Sequence, residues 1–199
     1  VRVVDVSLDH DVWGDERVSR SCGSIDREDA MDDDQVIRSL QIGQRVADQE
    51  VDSGVDLLIA GDLGIGNTTP AAALIGAMTS TEPVVVVGRG TGIDDEGWKR
   101  KVTAVRDAMY RVRAIKHDPI AVLKAISSPD LAAMAGFLAQ AAVRRTPVLL
   151  DGVVVTSAAL MANKLAPGAR KWWVAGHKGA EPAHILALNS LHLDPLLDF

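Results

Sequence analysis

The sequence predicts an α/β fold: a doubly wound parallel sheet in three layers, α/β/α. Short apolar runs alternate along the chain with longer segments of helical period, the order expected of strand–helix–strand units. The runs are brief and β-branched or aromatic, bounded by Gly, Pro or charge, as strands of a parallel sheet are. Several of them also open into loops that combine glycine with hydroxyl, amide or acid groups, and the carboxyl edge of such a sheet is where ligands bind.

The elements follow in order. RVVDVSL (2–8) reads as the first strand, and residues 9–32, with three Arg and eight Asp or Glu, read as a long irregular excursion. From Asp33 to Ser53, Val36, Leu40, Ala47 and Val51 fall on one helix face, the acidic Asp32–Asp34 suits the helix N-terminus, and Gly54 is placed to end it. VDLLIAGD (55–62) is the next strand, followed by a helix over Thr69–Met78 with Pro70 in its first turn. TEPVVVVGRG (81–90) has strand propensity, although four valines also suit a loop covering a core. Helices fit Asp95–Lys116, Pro119–Ile126, Asp130–Arg144, Thr156–Leu165 and Pro182–Leu191, with strands at TPVLLDG (146–152) and KWWVAGH (171–177). Val3–Ser7, Leu57–Ala60, Val148–Asp151 and Trp172–Ala175 are expected to be adjacent parallel strands joined by right-handed crossovers. No repeat or low-complexity tract interrupts the pattern, so residues 1–199 are expected to form a single α/β domain.

Composition narrows the function. A net charge of −6 lacks the basic excess of a nucleic-acid binder. No apolar run approaches the roughly 20 residues of a membrane span. The lone Cys22 excludes an internal disulfide and a CxxC metal site, which fits a reducing cytoplasm.

Four loops carry the chemistry: GDLGIGNTTP (61–70), GRGTGIDDEG (88–97), DGVVVTS (151–157) and GHKGAEP (176–182). Glycine lets backbone N–H groups approach a ligand, and a helix N-terminus behind such a loop favours an anion. Four of them at one sheet edge suggest a phosphate-bearing ligand. The first nearly spells a P-loop, but Asn67 stands where the lysine should be, and the GxGxxG dinucleotide fingerprint also fails at Thr69. Asp62 would repel a phosphate but suits a ribose hydroxyl or a ribosyl cation. A ribose phosphate fits this loop better than a triphosphate.

Taken together, GDLGIGNTTPAAAL, VGRGTGIDDEGWKRK, PVLLDGVVVTSAAL, APGAR, GHKGAEPAHILAL and LDPLLD resemble, in that order, the nicotinate-nucleotide–dimethylbenzimidazole phosphoribosyltransferase family, along the whole chain from Val1 to Phe199. The resemblance implies a Rossmann-like sheet with a small helical domain, most of which this chain would lack, in a cytoplasmic homodimer. It implies transfer of 5-phosphoribosyl from nicotinate mononucleotide to 5,6-dimethylbenzimidazole, giving α-ribazole phosphate for cobalamin, with no metal or other cofactor. The leaving pyridinium departs as a neutral nitrogen. The enzyme must therefore clamp the phosphate, stabilise a cationic ribose and deprotonate the incoming base.

By position, the resemblance places Asp62 beside the ribose, where a glutamate is more usual, and makes Gly64, Ile65, Gly66, Asn67, Thr68 and Thr69 the substrate loop. Lys101 matches a phosphate-binding lysine, although within KRK it also reads as an exposed surface charge. Gly152, Gly176, His177 and Gly179 would complete the pocket with Gly90 and Arg89, where Arg89 could instead brace Asp94 or Asp95. Glu181, Thr156 and Ser157 read as helix-start or capping residues. The remaining histidines show no metal-ligand spacing beyond the seven residues between His177 and His184, and Trp172 and Trp173 read as core or interface. The family's catalytic glutamate is expected beyond LDPLLD, and part of the acceptor pocket upstream of Val1. The chain is accordingly expected to be part of a longer enzyme, without transfer activity alone. The alternative is a non-catalytic nucleotide-phosphate-binding module.

Overall fold

The computed structural model describes residues 1–90 and 92–198; Thr91 in the second glycine loop and Phe199 lie outside the described residues. Eight α-helices and four strands are described: α1 (Asp33–Asp52), β1 (Leu58–Ala60), α2 (Thr68–Thr79), α3 (Pro83–Val86), α4 (Asp95–Val112), α5 (Pro119–Ile126), α6 (Pro129–Val143), β2 (Val148–Leu150), α7 (Val153–Leu165), β3 (Trp173–His177), α8 (Pro182–Leu191) and β4 (Pro195–Leu197). The sheet runs β1-β2-β3-β4 with all neighbours parallel, Leu58 opposite Val148 and Val148 opposite Trp173. The expected α/β fold with a parallel sheet is present, and three of its strands lie where the apolar runs put them.

Three expectations are corrected. Residues 2–8 form no strand. The segment lacks a neighbouring strand and instead folds back on the excursion that follows it. Val18 N–H donates to Val6 O at 2.8 Å, Val6 packs with Val18, Ile42 and Val46, and the buried Arg17 pairs with Asp5. The fourth strand is Pro195–Leu197, which pairs with β3. The Val84–Val86 run is helical, because Pro83 supplies a fixed φ at the first helical position and Val87 N–H closes on Pro83 O at 3.0 Å. The helix expected from Thr156 begins at Val153, so Thr156 and Ser157 are buried within α7 and cap nothing; their hydroxyls donate back to Gly152 O and Val154 O.

Burial alternates along the strands. Leu58, Ala60, Val148, Leu150 and Trp173 join the main core with residues of α2, α6, α7 and α8. The intervening Ile59 and Val174 are 66% and 41% exposed. The strands are thus buried on one face only in these residues, with an apolar stripe on the other. The tightest helix packing is between α1 and α6. There Gly43 and Gly136 let the backbones meet: a Cβ on Gly136 would lie under 3.0 Å from Leu40 O.

Candidate functional site

The site lies past the carboxyl ends of β1, β2 and β3. β1 ends at Ala60 and the Gly61–Asn67 loop leads into α2, where Gly66 takes φ +83, a conformation that favours glycine. Among the described residues, the backbone N–H groups of Ile65, Gly66 and Asn67 make no backbone hydrogen bond. Asn67 is the N-cap of α2, yet its side chain makes no cap bond and donates instead to Asp62 Oδ2 at 2.8 Å. The first turn of α2 therefore keeps donors available to a ligand at its positive end. Leu63 and Ile65 on the same loop are fully exposed.

Lys101, on α4, reaches this helix end. Its Nζ donates to Thr68 Oγ1 at 2.7 Å, and a Cβ built on Gly90 would lie 3.5 Å from Thr68 Oγ1 and 3.7 Å from Lys101 Nζ. Burial lowers the lysine pKa, while the charge of Glu181 pulls it back up. Thus Lys101 meets Thr68 at the start of α2 with the Gly90 backbone close by, and its side chain is half-buried rather than fully solvated. The 88–90 loop follows the short helix α3 rather than a strand, and reaches the site through Gly90.

Asp62 is turned inward, against Asn67 and against Asp130 in the first turn of α6. Burial and then the neighbouring Asp130 raise its pKa to about 6, against the opposing hydrogen bond from Asn67.

The last loop is built differently from the expectation of free backbone donors. Gly179 N–H already donates to His184 Nδ1 at 2.9 Å. His184 is fully buried, and its Nε2 has no partner among the described residues. Burial first, then His177, lowers its pKa to about 4, so the ring is neutral around pH 7. The His177 ring stands edge-on to it at 5.6 Å between centroids, with Nδ1 3.8 Å from Asp151 Oδ1. Gly176 is the penultimate residue of β3 and Gly152 the N-cap of α7. Arg89 points elsewhere, donating to Asp95 Oδ1 at 2.6 Å and Ile93 O at 3.1 Å, while Asp94 caps α4 through Gly97 N–H. Glu181 is the N-cap of α8 but makes no cap bond; its Oε1 accepts from Gly90 N–H at 2.8 Å. Asp130 and Glu181 carry no local sequence signal for these contacts, since their partners lie up to 91 residues away, whereas His184 meets Gly179 in the loop just before its own helix. No group of acids, histidines or cysteines able to hold a metal is found among the described residues, and no helix there is long and apolar enough to cross a membrane.

A helix N-terminus, a half-buried lysine and a hydroxyl converging at the edge of a parallel sheet make an arrangement chemically suited to an anion, as in phosphate-handling α/β proteins. The chain belongs to the phosphoribosyltransferase family whose model matches residues 1–199. It is 73% identical over 199 residues to the nicotinate-nucleotide–dimethylbenzimidazole phosphoribosyltransferase of Corynebacterium glutamicum strain R, covering all of this chain and 56% of that one. The enzyme of the same name from Mycobacterium ulcerans is 58% identical over 202 residues, again with 56% of its length covered. The crystal structure of CobT from Thermus thermophilus superposes with a TM-score of 0.90 at 39% identity, over 99% of this chain and 59% of that one. The chain thus spans about half the length of the curated relatives it matches.

Proposed function

We propose that these residues hold the nucleotide in a protein that transfers 5-phosphoribosyl from nicotinate mononucleotide to dimethylbenzimidazole. The observation that carries the reading is the meeting of Lys101, Thr68 and Gly90 at the start of α2. The 5′-phosphate is assigned to that point, bound by the ammonium of Lys101 and the N–H groups of the Gly64–Thr68 loop. The ribose then lies toward Asp62, whose carboxylate stabilises positive charge developing at C1′. Nicotinate leaves as a neutral ring, so its departure needs no proton. The benzimidazole nitrogen enters from the opposite face and inverts the anomeric carbon.

The relatives' names support the two substrates, and the contact of Lys101 with Thr68 at the start of α2 supports the assignment of the phosphate of one. A single α/β nucleotide-binding domain over 1–199 and a cytoplasmic location belong to the same proposal, the latter supported by the lone cysteine. The homodimer rests on the family resemblance. Calorimetric titration tests the core of the reading. Nicotinate mononucleotide should bind at least about tenfold more tightly than nicotinate riboside, since one charge-assisted contact is worth roughly 1.5–3 kcal/mol. Equal affinities for the two would reject a phosphate site here.

A further inference from the structure

Glu181 is misplaced for the role its position suggests. It stands at the N-cap of α8, where a carboxylate ordinarily accepts from its own helix, and makes no such bond. Its side chain instead crosses to the loop after α3, where Oε1 accepts from Gly90 N–H at 2.8 Å. The carboxylate lies against Gly88 so closely that a Cβ there would fall under 3.0 Å from it, so the loop is shaped around this acid. A Cβ built on Gly90 would in turn lie in van der Waals contact with Thr68 Oγ1 and Lys101 Nζ, so the loop passes close to both. Lys101 feels the Glu181 charge but spends its hydrogen bond on the neutral hydroxyl of Thr68.

Resting on the phosphate reading above, we propose that Glu181 is an internal competitor of the substrate phosphate, holding the Gly90 N–H beside Lys101 that the phosphate would otherwise take. One N–H cannot serve two anions fully, and two negative groups sharing one half-buried ammonium repel each other. Substrate phosphate therefore binds by displacing the carboxylate from Gly90, which frees the 88–90 loop from α8. Glu181 sets the affinity of the site below what its donors allow, and couples occupancy to loop position.

The test is titration of the protein with inorganic phosphate and with nicotinate mononucleotide, comparing wild type with Glu181→Gln. Glutamine keeps an oxygen for Gly90 N–H, so the loop stays tied while the charge is gone. Both ligands are expected to bind roughly tenfold more tightly to the variant. Wild-type binding that is unchanged or weakened by Glu181→Gln would overturn the inference and leave the phosphate site standing, with Glu181 a loop-positioning residue. Absence of phosphate binding in both proteins would overturn the site and the inference together. If Glu181→Gln fails to fold, Glu181→Ala is read by the same criteria.

Discussion

Asp62 is a side chain whose charge costs stability where the proposed function needs it. Its pKa of about 6 lies above the 3.8 of a free aspartate, chiefly because burial and Asp130 disfavour its charge. The sign follows from that order. A carboxylate protonated more readily in the folded chain contributes stability fully below about pH 3.8, and that contribution is lost as pH rises through about 6. Asp62→Asn, which keeps the shape and removes the charge, should therefore raise the unfolding midpoint above pH 6. The gain should shrink toward zero below about pH 4, where the wild-type residue is neutral as well. Thermal unfolding of both proteins from pH 4 to 8 checks this, and a gain independent of pH would assign the effect to something other than the carboxylate. On the proposed function, the same substitution should lower transfer by a protein carrying this site, because the charge assigned to stabilising C1′ is gone. One aimed electrostatic group is worth about 2.7–4 kcal/mol in comparable sites. A variant that is more stable above pH 6 but slower would be the signature of this trade.

At the scale of elements, the longer helices were legible, apart from the start of α7, because their information is local. The Asp32 cap with its Gln35 reply, the apolar face of α1, and proline at the first turns of α5 and α8 all lie within a few residues of what they determine. Strands were less legible, because a strand needs a neighbour. RVVDVSL has the residue types and no partner strand, whereas Pro195–Leu197 is short and opens on a proline, yet pairs with β3. The site divides in the same way. The Gly61–Thr69 loop announces itself, while Glu181 and Asp130 join it only through tertiary contacts. The α1–α6 crossing offers a quantitative test of close packing. Gly136→Ala puts a methyl group into the space of the Leu40 carbonyl, and backbone cannot step aside as a side chain can. The better helix propensity of alanine offsets about 1 kcal/mol, against an overpacking cost of roughly 1–3 kcal/mol or more. A net loss in urea-unfolding stability is expected. A variant as stable as wild type would mean that these helices are not in contact here.

At the scale of the whole molecule, one face of the sheet carries exposed apolar side chains among the described residues. Parallel sheets are ordinarily buried on both faces, yet Ile59 and Val174 are 66% and 41% exposed beside core strands. Such a stripe favours association or dye binding. The 199-residue chain should bind an apolar fluorescent dye, and Ile59→Ser with Val174→Thr should reduce that binding while leaving the cooperative unfolding transition in place. Unchanged dye binding would place the sticky surface elsewhere. The central claim concerns the opposite feature, the polar edge of the same sheet. It is tested most directly by titrating wild type and Lys101→Ala with nicotinate mononucleotide and with nicotinate riboside. A phosphate clamp predicts that the substitution weakens the mononucleotide about 10- to 100-fold, since a charge-assisted contact is worth roughly 1.5–3 kcal/mol, and leaves the riboside unchanged. Equal losses for both ligands, or none for either, would contradict the assignment of Lys101 and the start of α2 to the phosphate.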